Sequence, residues 1–140
     1  MEFMKRRLIV LLLLVFTLSI SCESEKTNAQ NSEPTLSEAE KSNIINRLET
    51  VFSAQAKKPV KFTKSKLIKI DGISYLRLWH EDKVTTTLLN TQNKRTLVDA
   101  GVSCTSTACA NSPTGCIPDS ETGCSECTED PEDCTRTISG

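Results

Sequence analysis

Six cysteines are concentrated near the end of the chain, in a segment that cannot build a hydrophobic core. Residues 101–140 contain no aromatic side chain, and they have only three large aliphatic side chains, Val102, Ile117 and Ile138. A segment of this composition buries too little apolar surface to order itself, so its structure has to come from cross-links. The sequence therefore predicts an irregular, cross-linked tail over residues 101–140, next to a separate small core.

The tail cysteines predict three disulfides. Their number is even, and a short cysteine-rich segment is typically a disulfide framework in a protein that leaves the reducing cytoplasm. Six cysteines allow about 15 pairings, and the spacing does not choose among them. The disulfide candidates are Cys104, Cys109, Cys116, Cys124, Cys127 and Cys134.

Two other uses of the tail cysteines stay open. Cys124 and Cys127 have the C-x2-C spacing of zinc ligands, although the chain lacks the second such pair of a zinc ribbon. Thiol redox chemistry at this pair is disfavoured, because neighbouring carboxylates such as Glu121, Glu126 and Glu129 oppose thiolate formation. We expect an oxidised tail without metal, and a metal site built from tail thiolates is the alternative.

The chain begins with the charge and hydropathy pattern of a signal peptide. Three basic residues at positions 5–7 precede thirteen residues, 8–20, that are apolar except for Thr17 and Ser19. A helix that spans a bilayer needs about 20 apolar residues, so this run is too short for one. Residues 1–21 are therefore predicted to be a signal peptide that is removed on export.

The run Leu18-Ser19-Ile20-Ser21-Cys22 resembles the lipobox of bacterial lipoproteins. The resemblance implies that a diacylglycerol is attached to the thiol of Cys22 and that the chain is cut just before this residue. Ser19 stands where the family prefers leucine, and Ser19-x-Ser21 also fits the cleavage site of a soluble secreted protein. The number of cysteines favours lipid attachment at Cys22, because without this residue an even number of cysteines remains to form disulfides.

The residues after Cys22 add to this predicted location. Glu23-Ser24-Glu25-Lys26 looks like the acidic signal that directs some lipoproteins to the cell surface. We predict a lipid-anchored protein of the bacterial cell envelope, on the outer membrane or the cell surface, with a secreted soluble protein as the alternative. Residues 22–35 are polar and are predicted to be the lipid anchor and a flexible tether.

Residues 36–100 are predicted to be a small α+β domain that opens with one amphipathic helix. Ser37 with Glu40 is a capping-box signature, and apolar residues at helical spacing follow it to about Ala56. These residues form one apolar face, which we expect to pack on a sheet of the same domain. They are Ile44, Ile45, Leu48, Val51 and Phe52.

An antiparallel β-meander is predicted from Val60 to Val98. Asp71-Gly72 and Glu81-Asp82 separate alternating apolar runs, and Asp-Gly is a strong signal for a two-residue hairpin turn. One face of the meander is then expected to carry the residues covered by the helix, Ile68, Ile70, Ile73, Tyr75, Trp79, Val84 and Leu88. The opposite face, which we expect the tail to cover, carries Leu67, Leu76, Leu78 and Leu89.

Several classes of function are disfavoured by the composition. The net charge of −1 does not indicate a nucleic-acid-binding protein. The chain has no phosphate-binding glycine loop and no nucleophile elbow, and its single histidine, His80, is expected to face solvent at a turn. We therefore expect a non-enzymatic structural or binding module without a cofactor. The tail and the exposed lysines are its candidate contact surfaces, and beyond the membrane the sequence names no partner.

Overall fold

The structure is a computed structural model, and it describes residues 32–119, 123–127 and 130–139. They belong to one compact unit, Ser32–Gly140. Met1–Asn31, which contains the predicted signal peptide and lipid site, lies outside the described residues. In chain order the unit contains α1 (Glu38–Ala56), β1 (Lys64–Ile70), β2 (Ile73–His80), β3 (Lys83–Gln92), β4 (Thr96–Ser106), a 3-10 helix (Pro131–Asp133) and β5 (Thr135–Ile138).

The five strands form one antiparallel sheet in the order β1-β2-β3-β4-β5. The β1–β2 turn has φ angles of 50° at Asp71 and 84° at Gly72, the pair of positive values that a type I′ hairpin turn requires. Glu81, with φ 51°, begins the β2–β3 turn, and His80 pairs with Lys83 across it. Both predicted turns are therefore present, and the α+β class is confirmed.

The sheet extends further along the chain than predicted. β4 runs through Gly101, where the tail was expected to begin, and β5 returns the end of the chain to the sheet, with Arg136 opposite Cys104. An irregular tail is thus the wrong description of these two segments. Serine and threonine give them no clear apolar alternation, and their strand conformation comes from pairing with a neighbouring strand rather than from local sequence.

Helix α1 forms as predicted, and its caps explain its limits. The hydroxyl of Ser37 accepts a hydrogen bond from the backbone N–H of Glu40 at 3.1 Å, which satisfies one free donor of the first turn. Lys57 adopts the left-handed conformation that ends many helices, with φ 53°. Ile44, Leu48 and Phe52 are buried, so the predicted apolar stripe faces the protein interior.

The two faces of the sheet are covered in the opposite way from the prediction. Helix α1 packs on the helix face, which we define by Leu76, Leu78, Leu89 and Leu97. The cysteine-rich tail packs on the tail face, which we define by Tyr75, Arg77, Trp79, Val84 and Leu88. The register grouped the residues correctly, but both faces are partly apolar. The alternation alone therefore could not assign a cover to each face.

Polar contacts hold the beginning and the end of the unit against the core. Thr35, inside the predicted tether, forms a parallel bridge with Thr96, and its backbone exchanges hydrogen bonds with Arg95 and Leu97. The guanidinium of Arg47 on α1 contacts the carboxylate of Asp99 on β4. The last residues of the predicted tether are thus part of the folded unit.

Candidate functional site

The tail on the sheet is closed by three disulfides. The bonded pairs are Cys104–Cys124, Cys109–Cys127 and Cys116–Cys134, with Cα atoms 6.0, 5.5 and 5.6 Å apart. The first cysteine of the tail pairs with the fourth, the second with the fifth and the third with the sixth, so the bridges interleave along the chain. All six predicted disulfide cysteines are therefore paired with one another.

The sulfur atoms of two bridges lie together beneath the tail. The Sγ atoms of Cys104, Cys124 and Cys134 all lie within 4.8 Å of one another, although they belong to two different disulfides. Val84 and Trp79 of the tail face belong to the same apolar cluster. The C-x2-C pair does not act as a unit here, because Cys124 and Cys127 bond to different partners.

A buried arginine attaches the first loop of the tail to the sheet. Arg77 on β2 is only 2% exposed, and its guanidinium donates hydrogen bonds to the carbonyl oxygens of Ser112, at 2.5 Å, and Cys109, at 3.2 Å. The ring of Trp79 lies 5.7 Å from the guanidinium, and its Nε1 donates to the carbonyl of Ala110 at 3.0 Å. Burial lowers the pKa of Arg77 from its usual value. Carbonyl dipoles and the aromatic ring thus replace part of the water that a buried cation loses.

Asp133 attaches the second part of the tail to the end of β4. Its Oδ2 accepts hydrogen bonds from the backbone N–H groups of Thr107 and Ala108, at 2.6 and 2.7 Å, and from the hydroxyl of Ser106 at 2.8 Å. The bond from Ala108, followed by that from Ser106, lowers the pKa of the Asp133 carboxyl. This carboxylate therefore organises the turn that follows β4, in addition to adding negative charge to the tail.

A cleft of about 320 Å³ lies where the end of α1 meets strands β2 to β5. His80 and Lys83 line one part of it, and Phe52 and Val60 provide an apolar wall. The remaining lining is mostly polar and is provided by Gln55, Ala56, Thr105, Ser106, Thr107, Asp133, Thr135 and Thr137. The hydroxyl, amide and charged groups of this cleft can hydrogen-bond a polar ligand, and Phe52 and Val60 offer the apolar contact that ligand pockets usually provide.

His80 is not the solvent-facing turn residue that was expected. It is 8% exposed, and its ring centroid lies 6.2 Å from that of Phe52 and 5.2 Å from that of Phe62. Its Nδ1 is buried without a hydrogen-bond partner among the described residues. Burial, followed by the nearby Lys83, lowers the pKa of the imidazole. The sequence carried a signal for this position, because the β2 alternation places His80 on the same face as Leu76 and Leu78.

The predicted membrane attachment is not part of the cleft or of the disulfide-linked tail. Cys22, the predicted lipid site, lies in Met1–Asn31 and so outside the described residues. Within the part of the chain that the structure describes, no helix combines the length and the apolar character needed to cross a bilayer. Comparisons with protein-family models, with curated proteins and with solved structures found no match to this chain.

Proposed function

We propose that this chain is an exported, lipid-anchored protein of the bacterial cell envelope whose disulfide-linked domain acts as a non-enzymatic structural or binding module. The pairing of the cysteines carries the proposal. Six of the seven cysteines are bonded to one another, and Cys22 is the seventh. Disulfides persist in oxidising compartments, which supports export. Acylation would account for the thiol of Cys22 in the same compartment.

The surface of the folded unit supports a binding role. The three bridges and the hydrogen bonds of Arg77 and Asp133 attach the described part of the tail to the sheet. The cleft beside His80 is concave and lined by mixed polar and apolar groups. Rigid elements around a pocket reduce the entropy cost of binding, so this cleft is the best candidate for a small polar ligand.

The lipid anchor is tested by substituting the acylated residue. Cys22→Ser removes the only atom to which the diacylglycerol is expected to attach, so we expect complete loss of label from cells grown with radioactive or clickable fatty acid. The protein should also move from the membrane fraction to the soluble fraction when membranes are washed at high salt, which screens any contact made by surface charges. Ser24→Ala, two residues further on, is the matched control and should keep both the label and the membrane location.

The labelling experiment separates the two predicted forms of the exported protein. Loss of label in Cys22→Ser together with retention in Ser24→Ala supports the lipoprotein. A wild-type protein that never takes up fatty acid would contradict the anchor, and so would a Cys22→Ser variant that still sediments with membranes after a high-salt wash. Wild-type protein recovered unlabelled from the medium would identify the soluble secreted form.

The sulfur cluster favours one second candidate function, a metal-binding module that uses tail thiolates. The Sγ atoms of Cys104, Cys124 and Cys134 lie within 4.8 Å of one another in the oxidised domain. If a dithiol reductant opened the bridges, these residues would be free to supply three of the four ligands that a structural zinc site uses. Metal binding needs deprotonated thiols, so it excludes the disulfides of the same cysteines. Four or more free thiols and stoichiometric zinc or iron in the native protein would favour this function over the first.

A further inference from the structure

A lysine-rich segment without acidic residues includes the edge strand of the sheet. Residues 50–70 contain six lysines and neither aspartate nor glutamate. They run from the end of α1 along β1, which pairs with β2 alone and therefore forms an edge of the sheet. We call this surface the lysine edge, and its residues are Lys57, Lys58, Lys61, Lys64, Lys66 and Lys69.

The lysine edge is open to solvent and only partly neutralised, and Lys61 is the member of this set that pairs with a mostly buried carboxylate, that of Glu49. All six side chains are exposed. Lys58 and Lys69 pair with Glu81 and Glu33, which are themselves 61% and 68% exposed, so these pairs exchange readily with other anions. Among the described residues, no ion pair involves Lys57, Lys64 or Lys66, although the ammonium of Lys64 lies 4.8 Å from the Trp79 ring centroid.

Two further features of the lysine edge point to a lipid surface. Leu67, between Lys66 and Lys69, is 46% exposed, so an aliphatic side chain accompanies the charges. Glu33, close to the start of the described residues, contacts Lys69 with N and O atoms 2.5 Å apart. Glu33, one of the first described residues, therefore lies beside one end of this edge.

We infer that the lysine edge binds the anionic headgroups of a membrane and holds the domain edge-on against the leaflet. Lysines from both faces of β1 can reach the same leaflet, because their long side chains extend outward from an edge strand. Clustered basic residues near a membrane are attracted by anionic lipids, and an exposed leucine adds apolar contact. The inference rests on the proposed membrane location, but the contact itself does not require the lipid on Cys22.

The test measures vesicle binding by protein that lacks the lipid. Residues 23–140 include the whole compact unit with its core and its three bridges, so this piece keeps the folded domain. It is sedimented with phosphatidylcholine vesicles and with vesicles that also contain phosphatidylglycerol. We expect binding only to the anionic vesicles and loss of binding at high salt.

Triple substitutions test whether the lysine edge is the surface that binds the vesicles. Replacing Lys64, Lys66 and Lys69 with Gln should weaken binding on the order of 100-fold, since each lysine near an anionic leaflet is worth roughly five-fold. The same three positions changed to Arg should retain binding. The control variant combines Lys41→Gln, Lys94→Gln and Arg95→Gln, which removes the same charge elsewhere on the unit. It should weaken vesicle binding much less.

Four other outcomes would contradict membrane binding by the lysine edge. Equal weakening by the two Gln triples would reduce the effect to net charge and overturn the inference. So would binding to neutral vesicles that salt does not change, or failure of the Arg triple to bind. A concentration-dependent dimer that the Lys64, Lys66 and Lys69 Gln triple abolishes would assign the edge to a second copy of this chain. Failure of lipid attachment appears only in fatty-acid labelling of Cys22, so the two proposals fail separately.

Discussion

Two charged side chains decide where the tail lies on the sheet. Arg77 donates to carbonyl groups of the first tail loop, and Asp133 accepts from backbone N–H groups just after β4. Both therefore recognise backbone groups, whose positions are fixed only in the folded chain. A buried backbone group that loses its partner costs about 1–3 kcal/mol, so these contacts specify one position of the tail. Alternative positions would leave the same groups unpaired.

His80 is expected to make the stability of the domain depend on pH. Burial and Lys83 lower its pKa in the folded protein, whereas the unfolded chain titrates near the ordinary value of 6.5. The unfolded state therefore binds more protons below that value, and the free energy of unfolding should fall as pH is lowered from about 7 to about 5. Urea unfolding at several pH values, with the disulfides intact, measures this slope.

A phenylalanine at position 80 provides the matched control. His80 packs against the rings of both Phe52 and Phe62, so His80→Phe keeps an aromatic ring there and removes the titrating group. Because the chain has a single histidine, the slope between about pH 5 and pH 7 should flatten in this variant. An unchanged slope would assign the pH dependence to other groups.

Helix α1 contributes the apolar layer on one side of the sheet. Leu48 is fully buried among Ile44, Leu76, Leu78 and other residues of the same cluster. Most of the stability of a helix within a protein comes from tertiary packing of its apolar face, so the packing of the apolar stripe is the main source of stability for α1. A change at the centre of that stripe should therefore affect the whole domain.

Leu48→Ala is expected to lower the free energy of unfolding by about 2–5 kcal/mol, because it removes buried methyl groups and leaves a cavity. Denaturant unfolding with intact disulfides gives the measurement. Asn46→Ala, at an exposed position of the same helix, controls for helix propensity and should change stability by no more than about 0.5 kcal/mol. A Leu48→Ala effect as small as that of the control would show that the helix does not pack on the sheet.

The folded unit Ser32–Gly140 consists of three layers that are stabilised in different ways. The helix and the helix face are held by apolar packing, whereas the tail is held to the tail face by disulfides and by hydrogen bonds to backbone groups. A disulfide typically stabilises a folded domain by about 2–4 kcal/mol, and the tail has little apolar surface to replace that contribution. The two outer layers should therefore respond differently to a reductant.

A reductant, but not EDTA, is expected to make the part of the tail between β4 and β5, residues 107–134, sensitive to protease. Thiol titration of the denatured, unreduced domain should find no free cysteine among the six of the tail, and mapping of linked peptides should recover Cys104 with Cys124, Cys109 with Cys127 and Cys116 with Cys134. Helix α1 should remain protected longer than the tail. Protease sensitivity produced by EDTA alone would show that a metal ion stabilises the tail.

Local chemistry in the sequence was enough to predict helix α1, the first three strands and a tail cross-linked by disulfides. The capping box at Ser37 and the two hairpin turns act within a few residues, so α1, β1, β2 and the start of β3 could be predicted. An even number of cysteines in a segment without a core predicted disulfides. None of these inferences required knowledge of contacts between distant residues.

The tertiary structure decided what depended on distant partners. Both faces of the sheet are partly apolar, so only packing could assign the helix to the face of Leu76 and the tail to the face of Tyr75. The cysteine pairing and strand β5 depend on which segments meet after long loops close. The cleft beside His80 likewise exists only where the end of α1 meets β4 and β5, because no short stretch of sequence contains its lining.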